Sequence, residues 1–330
     1  MGELLEIAKV MVEPATKLME MCGNAIGTVY EPRHVRKMAD AEAYKIRQLG
    51  AAISESNGLP VSYENGSLSM STEDFEDIAK RAEFRANYQL LCEQKNIEKV
   101  VENAYQGLLD APAVSNTPVD EDWSTRFFNI VKDVSSDEMQ HIWSKILAGE
   151  VEKPGSFSMR TLETIRNLSR AEAMTFQKLA PFIVMSAGSA CITSEASVYQ
   201  KYGITYDDIM LLDECGLMVS ESSLQWTLTF ESGAMIMYND AYCAISEGAS
   251  EETVKIDFGI HSLTNAGREL FRILSHESNK AYFVDFVEQV FKKNRHVKIQ
   301  VYEVTKIGND SVDHKDMIVR EFCEKKGSVQ

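Results

Sequence analysis

What this chain of 330 residues lacks narrows its chemistry first. Its six cysteines, Cys22, Cys92, Cys191, Cys215, Cys243 and Cys323, are scattered, and no two stand in C-x-x-C spacing. The closely spaced ligand pairs of a zinc site are therefore missing, and reduced thiols in a cytosolic core are the expectation. Lysine and arginine number 34 against 50 aspartates and glutamates, a formal net charge of −16. A protein that coats nucleic acid needs surplus cations for phosphate, so that partner is disfavoured, although a local basic face is compatible. No uninterrupted apolar run approaches the roughly 18 residues of a bilayer-spanning helix. The opening Met1-Gly2-Glu3-Leu4-Leu5-Glu6 lacks the cationic start and apolar run of a secretory signal, and Glu6 stands where a myristoylation motif needs Ser or Thr. A cytoplasmic protein is expected.

Recognisable catalytic patterns are missing too. There is no Gly-x-Ser-x-Gly elbow, no Gly-x-x-x-x-Gly-Lys-Ser/Thr loop and no Gly-x-Gly-x-x-Gly fingerprint. Glu138 and His141 have the E-x-x-H spacing of a di-iron half-motif, but His34, His261, His276, His296 and His314 have no glutamate three residues earlier. One half-motif reads as an exposed helical pair, because a di-iron bundle needs two of them and two further glutamates. The acidic pairs Asp207-Asp208 and Asp213-Glu214 read as solvated helix surface. No catalytic, cofactor or metal residue is assigned, and a non-enzyme is expected.

Hydrophobic residues at 44% and charged residues at 25% are enough to build a buried core. Residues 3 to 22 have an amphipathic helical pattern, interrupted at Pro14, whose wide apolar face makes a membrane surface a possible but disfavoured partner. Pro32 opens a second helical pattern, with Arg33, Arg36 and Lys37 as a weak candidate contact for an anion or lipid headgroup. Two Asn-Gly pairs between Ser54 and Ser71 signal a loop or small hairpin. A long charged helix is expected from Thr72 to Leu109, with Ile97, Val100, Val101, Ala104, Tyr105 and Leu108 along one narrow edge. Such a seam is coiled-coil-like and makes these six residues the candidate protein-interaction surface.

The proline-containing stretch Ala111 to Asp120 reads as a linker. Helices are expected at Asp120 to Val134, from Ser136 to Gly149, at Ser158 to Leu168, and from Ser169 to Met185. Strand-like runs follow at Leu224 to Phe230, Ala234 to Tyr238, Val254 to Ile260 and Val297 to Val304, and the last twenty residues read as a frayed polar tail. The Leu211 to Met218 and Leu263 to Leu270 runs resemble parts of a winged-helix domain. The helix that would enter DNA, Thr205 to Glu214, carries four acids and no cation, so protein contact suits this module better.

Two segments carry a family resemblance. One is Tyr30-Glu31-Pro32-Arg33-His34-Val35-Arg36-Lys37-Met38-Ala39-Asp40-Ala41-Glu42-Ala43. The other runs from Pro118-Val119-Asp120-Glu121-Asp122-Trp123 through Trp143-Ser144-Lys145-Ile146-Leu147-Ala148-Gly149-Glu150 to Asn167-Leu168-Ser169. Together they resemble the bacterial family known as domain of unknown function 2806, over roughly residues 25 to 275. The arrangement is also distantly similar to abortive-infection alpha proteins. The resemblance implies a bacterial setting and a place in antiviral defence, and supplies no site residues.

The expected fold is α+β and predominantly α-helical. It comprises a helical arm over 1–110, a central helical domain over 111–186, a winged-helix-like α+β module over 187–310 and a tail over 311–330. The expected function is a non-enzymatic, protein-binding or self-assembling component of anti-phage defence, with a second copy or a phage protein as partner. A winged-helix regulator and a membrane-surface effector acting through the N-terminal helix are the alternatives.

Overall fold

Short polar side chains fix where the helices begin. Asp120, Ser136, Ser158, Ser169, Thr205, Thr264 and Asn279 each accept a hydrogen bond from a backbone N–H in the first turn that follows. Each cap satisfies a donor with no partner inside the helix, which is worth about 1 kcal/mol. Ser169 with Glu172 and Thr205 with Asp208 complete reciprocal capping boxes. The structure, a computed structural model, describes residues 11–26, 61–64, 67–70, 78–109, 111–220, 225–231, 233–248, 253–308 and 311–324. The chain divides into two compact units, Met1–Ser156 and Phe157–Gln330.

The first unit is helical. Helices α1 (Pro14–Ile26), α2 (Ile78–Leu108), α3 (Glu121–Val131) and α4 (Asp137–Glu152) pack on one another. Strand β1 (Met11–Val12) pairs with β4 (Val114–Ser115), and β2 (Val61–Glu64) with β3 (Ser67–Met70) as a hairpin. Pro14 starts α1, where its missing N–H costs nothing, so the pattern expected over 3 to 22 is not one continuous helix. Trp123, Phe127 and Trp143 form the aromatic centre, with ring centroids 5.0 Å apart for Trp123–Phe127 and 5.6 Å for Phe127–Trp143. Asn96 Nδ2 donates to the Lys132 carbonyl at 2.7 Å and Gln140 Nε2 to that of Val134 at 2.8 Å, tying α2 and α4 to the turn after α3.

The second unit is α+β. Helices α5 (Met159–Arg166), α6 (Arg170–Leu179), α7 (Ala196–Tyr199), α8 (Tyr206–Glu214), α9 (Asn265–Phe271) and α10 (Lys280–Lys293) surround a nine-stranded sheet. Its strands are β5 (Val184–Ser186), β6 (Ser189–Thr193), β7 (Met218–Val219), β8 (Gln225–Glu231), β9 (Met235–Tyr238), β10 (Tyr242–Gly248), β11 (Thr253–Leu263), β12 (Val297–Ile307) and β13 (Val312–Phe322). The order is β13-β12-β10-β9-β5-β6-β11-β7, with β8 pairing a further part of β11, and every pairing is antiparallel. Helix α10 packs across β10, β11, β12 and β13 and buries Tyr282, Phe283, Phe286, Val287 and Val290. Asn294 closes its C-terminus by exchanging hydrogen bonds with the Asp257 backbone at 2.8 and 2.7 Å.

These units redraw the expected boundaries. The central domain of 111–186 is divided, because α3 and α4 pack on α1 and α2 while α5 packs on α9 and α6 on α8. The helix expected from Ser169 to Met185 ends at Leu179, Pro181 lies in a 3-10 turn, and the chain continues into β5. The winged-helix-like order is present as α8, the left-handed Gly216 turn, β7, the returning β11 and α9. The frayed tail is not observed over residues 312 to 322, which form β13, paired with β12 toward both ends and through Ile318 with register shifts between.

Candidate functional site

Among the described residues strand β13 is an edge of the sheet, with β12 on one side and no strand on the other. It reads Val312-Asp313-His314-Lys315-Asp316-Met317-Ile318-Val319-Arg320-Glu321-Phe322. Met317, Ile318 and Val319 are 72%, 42% and 42% exposed, a run of three apolar side chains on a free edge. Alternate backbone N–H and C=O groups of such a strand point away from the sheet and are open to another strand.

Charged residues flank the apolar run. Lys315 Nζ lies 2.6 Å from Glu303 of β12, which holds the Glu303 carboxyl below its usual range. Glu321 accepts from Gln300 Nε2 at 2.7 Å and lies 3.3 Å from Lys298, and these contacts lower its pKa. The Arg320 guanidinium sits 5.7 Å from the Phe322 ring centroid. Among the described residues, Asp316 and Arg320 form no ion pair.

A cleft of about 560 Å³ opens elsewhere in this unit, between the β5 and β9 strands, α9 and the chain after it. Its apolar wall includes Met185, Tyr238 and Phe271, and Arg268, Arg272 and His276 bring positive or titratable groups to it. Arg268 Nη2 donates to Asn265 Oδ1 at 3.2 Å, and the His276 ring stands 4.7 Å from that of Phe271. The Ser278 hydroxyl is buried without a hydrogen-bond partner, so it forms no nucleophile–base pair with His276. The lining suits a small anion with an apolar body, and Asp240 on the same wall opposes it.

The residues singled out in the sequence fall elsewhere. Ile97, Val100, Val101, Ala104 and Leu108 are at most 8% exposed and Tyr105 is half-buried, all within the packing of α2 on α1, α3 and α4. The seam expected to meet another protein is an internal one, because the chain's own helices cover it. Arg33, Arg36 and Lys37 lie outside the described residues, as do residues 3–10 of the N-terminal pattern. Glu138 accepts from the Ser136 hydroxyl at 2.8 Å, His141 is exposed, and no group of three or more His, Cys, Asp or Glu side chains converges among the described residues. On α8, Asp208 closes the capping box and meets Lys178 at 2.7 Å, which leaves Asp207 and Glu214 exposed. Among the described residues no helix is long and apolar enough to cross a membrane.

The β13 edge was not recognised in the sequence. The available signal was the Met317-Ile318-Val319 triplet, hidden by the charged residues on either side. No curated protein and no solved structure matches the chain. A family model described as "Protein of unknown function (DUF2806)" matches residues 80–287, from within α2 to within α10. With well over half of its length covered by that match, the chain belongs to the DUF2806 family.

Proposed function

We propose that this protein is a non-enzymatic interaction component that works by joining its β13 edge to another protein strand. The observation that carries this reading is the exposed Met317-Ile318-Val319 run on a strand whose outer side meets no other strand among the described residues. Natural edges are usually blunted by like charge, by proline or by a covering segment. This edge has no proline, and its charges nearly cancel, with Asp313, Asp316 and Glu321 against Lys315 and Arg320. In a chain of net charge −16, that balance removes the local repulsion that would keep a second strand away. Main-chain hydrogen bonds would supply affinity and the alternating side chains specificity.

A bacterial anti-phage role is the finer part of this proposal, and it rests on the distant similarity of the chain's arrangement to abortive-infection alpha proteins. The four acids of α8 would meet phosphate with repulsion, which favours protein over nucleic acid as partner. The test pairs hydrogen exchange on β13 with phage plating on cells that express the chain or its Ile318→Pro variant. Proline removes a donor from the strand, so the variant should lose both β13 protection and any plating defect. A plating defect that survives Ile318→Pro undiminished would refute the edge as the working surface.

A further inference from the structure

We infer that the partner at this edge is a second copy of the chain, added antiparallel about a two-fold axis through Ile318. The inference rests on the reading of β13 as the interaction edge and names its occupant and register. A two-fold axis normal to a sheet keeps each side chain on its own face, so one residue must stand opposite its own copy.

With Ile318 at the centre, every neighbouring pair is complementary. Met317 faces Val319 of the partner subunit, Asp316 faces Arg320 of the partner subunit, and Lys315 faces Glu321 of the partner subunit. Symmetry repeats each pair on the other side of the axis. The neighbouring registers lack this property. Centred on Met317, the strand sets Asp313 against Glu321 of the partner subunit, like charge against like. Centred on Val319, it sets Met317 against Glu321 of the partner subunit and Asp316 against Phe322 of the partner subunit. Asp316 and Arg320, which form no ion pair among the described residues, are the innermost charged pair of this register.

The exposures agree. Met317 at 72% and Val319 at 42% would cover each other across the axis, and Ile318 at 42% would cover its own copy. Cross-strand neighbours of this kind are what stabilise an antiparallel pair, while like charges directly opposite oppose it. The ladder to β12 slips at three places, between Val301 and Tyr302, between Tyr302 and Val304 and between Val304 and Lys306, and such bulged irregularities can deter edge pairing. The apolar run and its charge pattern lie along that stretch and weigh the other way.

Sedimentation velocity of the full chain over a concentration series, with charge-reversal variants, tests the register. The native chain should form a dimer, and D316R and R320D should each weaken it by about tenfold or more, since each sets like charge against like at two symmetric places. D316R/R320D restores the opposite-charge pairs and should bring the dimer back to within about threefold of native. In a Cys323→Ser background, Ile318→Cys should form an intermolecular disulfide on mild oxidation. Melting curves close to native would show that the exposed substitutions leave the fold intact. A native chain that stays monomeric, a double variant no better than the singles, or a dimer that Ile318→Cys does not cross-link would overturn the inference. If a monomeric chain nevertheless gains β13 protection from a different protein, self-pairing fails while the interaction reading stands. Free exchange along β13 in both settings would remove both.

Discussion

Gly267 of α9 sits directly against the Leu217 carbonyl, so close that a Cβ at residue 267 would lie well inside van der Waals contact with that oxygen. The approach follows from Thr264, whose N–H donates to the Leu217 carbonyl at 3.0 Å and whose hydroxyl donates to that of Gly216 at 2.7 Å. Those bonds pin the start of α9 onto the turn after α8. Gly267→Ala should therefore destabilise the second unit by more than about 2 kcal/mol, because backbone rather than a movable side chain must yield. Gly155, at φ +83° with open space around it, is the control, and its alanine variant should cost only about 1 kcal/mol of backbone strain. Urea unfolding of both variants checks this, and equal costs would show that the α9 contact is not tight.

Lys17 is 5% exposed and its Nζ donates to the Val151 carbonyl at 2.9 Å, joining the first described helix to the end of α4. Burial lowers the Lys17 pKa, and the Glu150 carboxylate partly opposes that shift. Lys17→Met keeps the apolar stem and leaves the carbonyl without its donor, so a loss of about 1–3 kcal/mol is expected. Denaturant titration of the two proteins measures it, and a variant as stable as native would mean that the ammonium only balances its own desolvation.

The parts of the fold that could be read in the sequence were those specified locally. Ser136, Ser158, Ser169 and Thr205 mark helix starts because a cap acts within three residues of itself. The apolar stripe of α2 was legible as a stripe, but periodicity does not say whether the covering helix belongs to the same chain. Strand β10 was missed, because Tyr242-Cys243-Ala244-Ile245-Ser246 alternates poorly and owes its place to β9 and β12 on either side. Strand β13 was missed for a related reason, since Val312 to Arg320 is nearly all solvent-facing and only its ladder to β12 makes it a strand. The cleft draws its lining from β5, β9 and α9 with the chain after it, a convergence that no local pattern encodes.

His261 on β11 is 4% exposed, its Nδ1 has no hydrogen-bond partner, and its ring stands 6.1 Å from that of Tyr199. Burial lowers its pKa below 6.5, and the Asp213 carboxylate only partly counters this. Between the folded value and 6.5 the unfolded chain therefore binds more protons than the folded one. Stability contributed by the neutral ring is present above 6.5 and is lost as pH falls to the folded pKa, with a slope of up to about 1.4 kcal/mol per pH unit. His261→Phe should flatten that part of the stability–pH curve. Nuclear magnetic resonance of the imidazole supplies the direct check, and a midpoint at or above 6.5 in the folded protein would contradict the buried-neutral assignment.

The cysteines should sort by burial when challenged with a thiol reagent. Cys191 is wholly buried, with its thiol donating to the Val184 carbonyl at 3.5 Å and its pKa pushed up to about 12. Burial likewise raises Cys243 to about 11 and raises Cys22. Because the thiolate is the reactive species, these three should react only when the surrounding structure opens. Cys323, just past the end of β13, is exposed and should account for the fast phase. Counting modified thiols against time at pH 8, with Cys323→Ser as comparison, should show that phase disappear while the slow phases keep their rates. Slow labelling of Cys22, Cys191 and Cys243 should accelerate in step with urea, as expected for groups reached by unfolding. Rapid modification of Cys191 in the native protein would mean that the sheet beneath it opens far more readily than its packing implies.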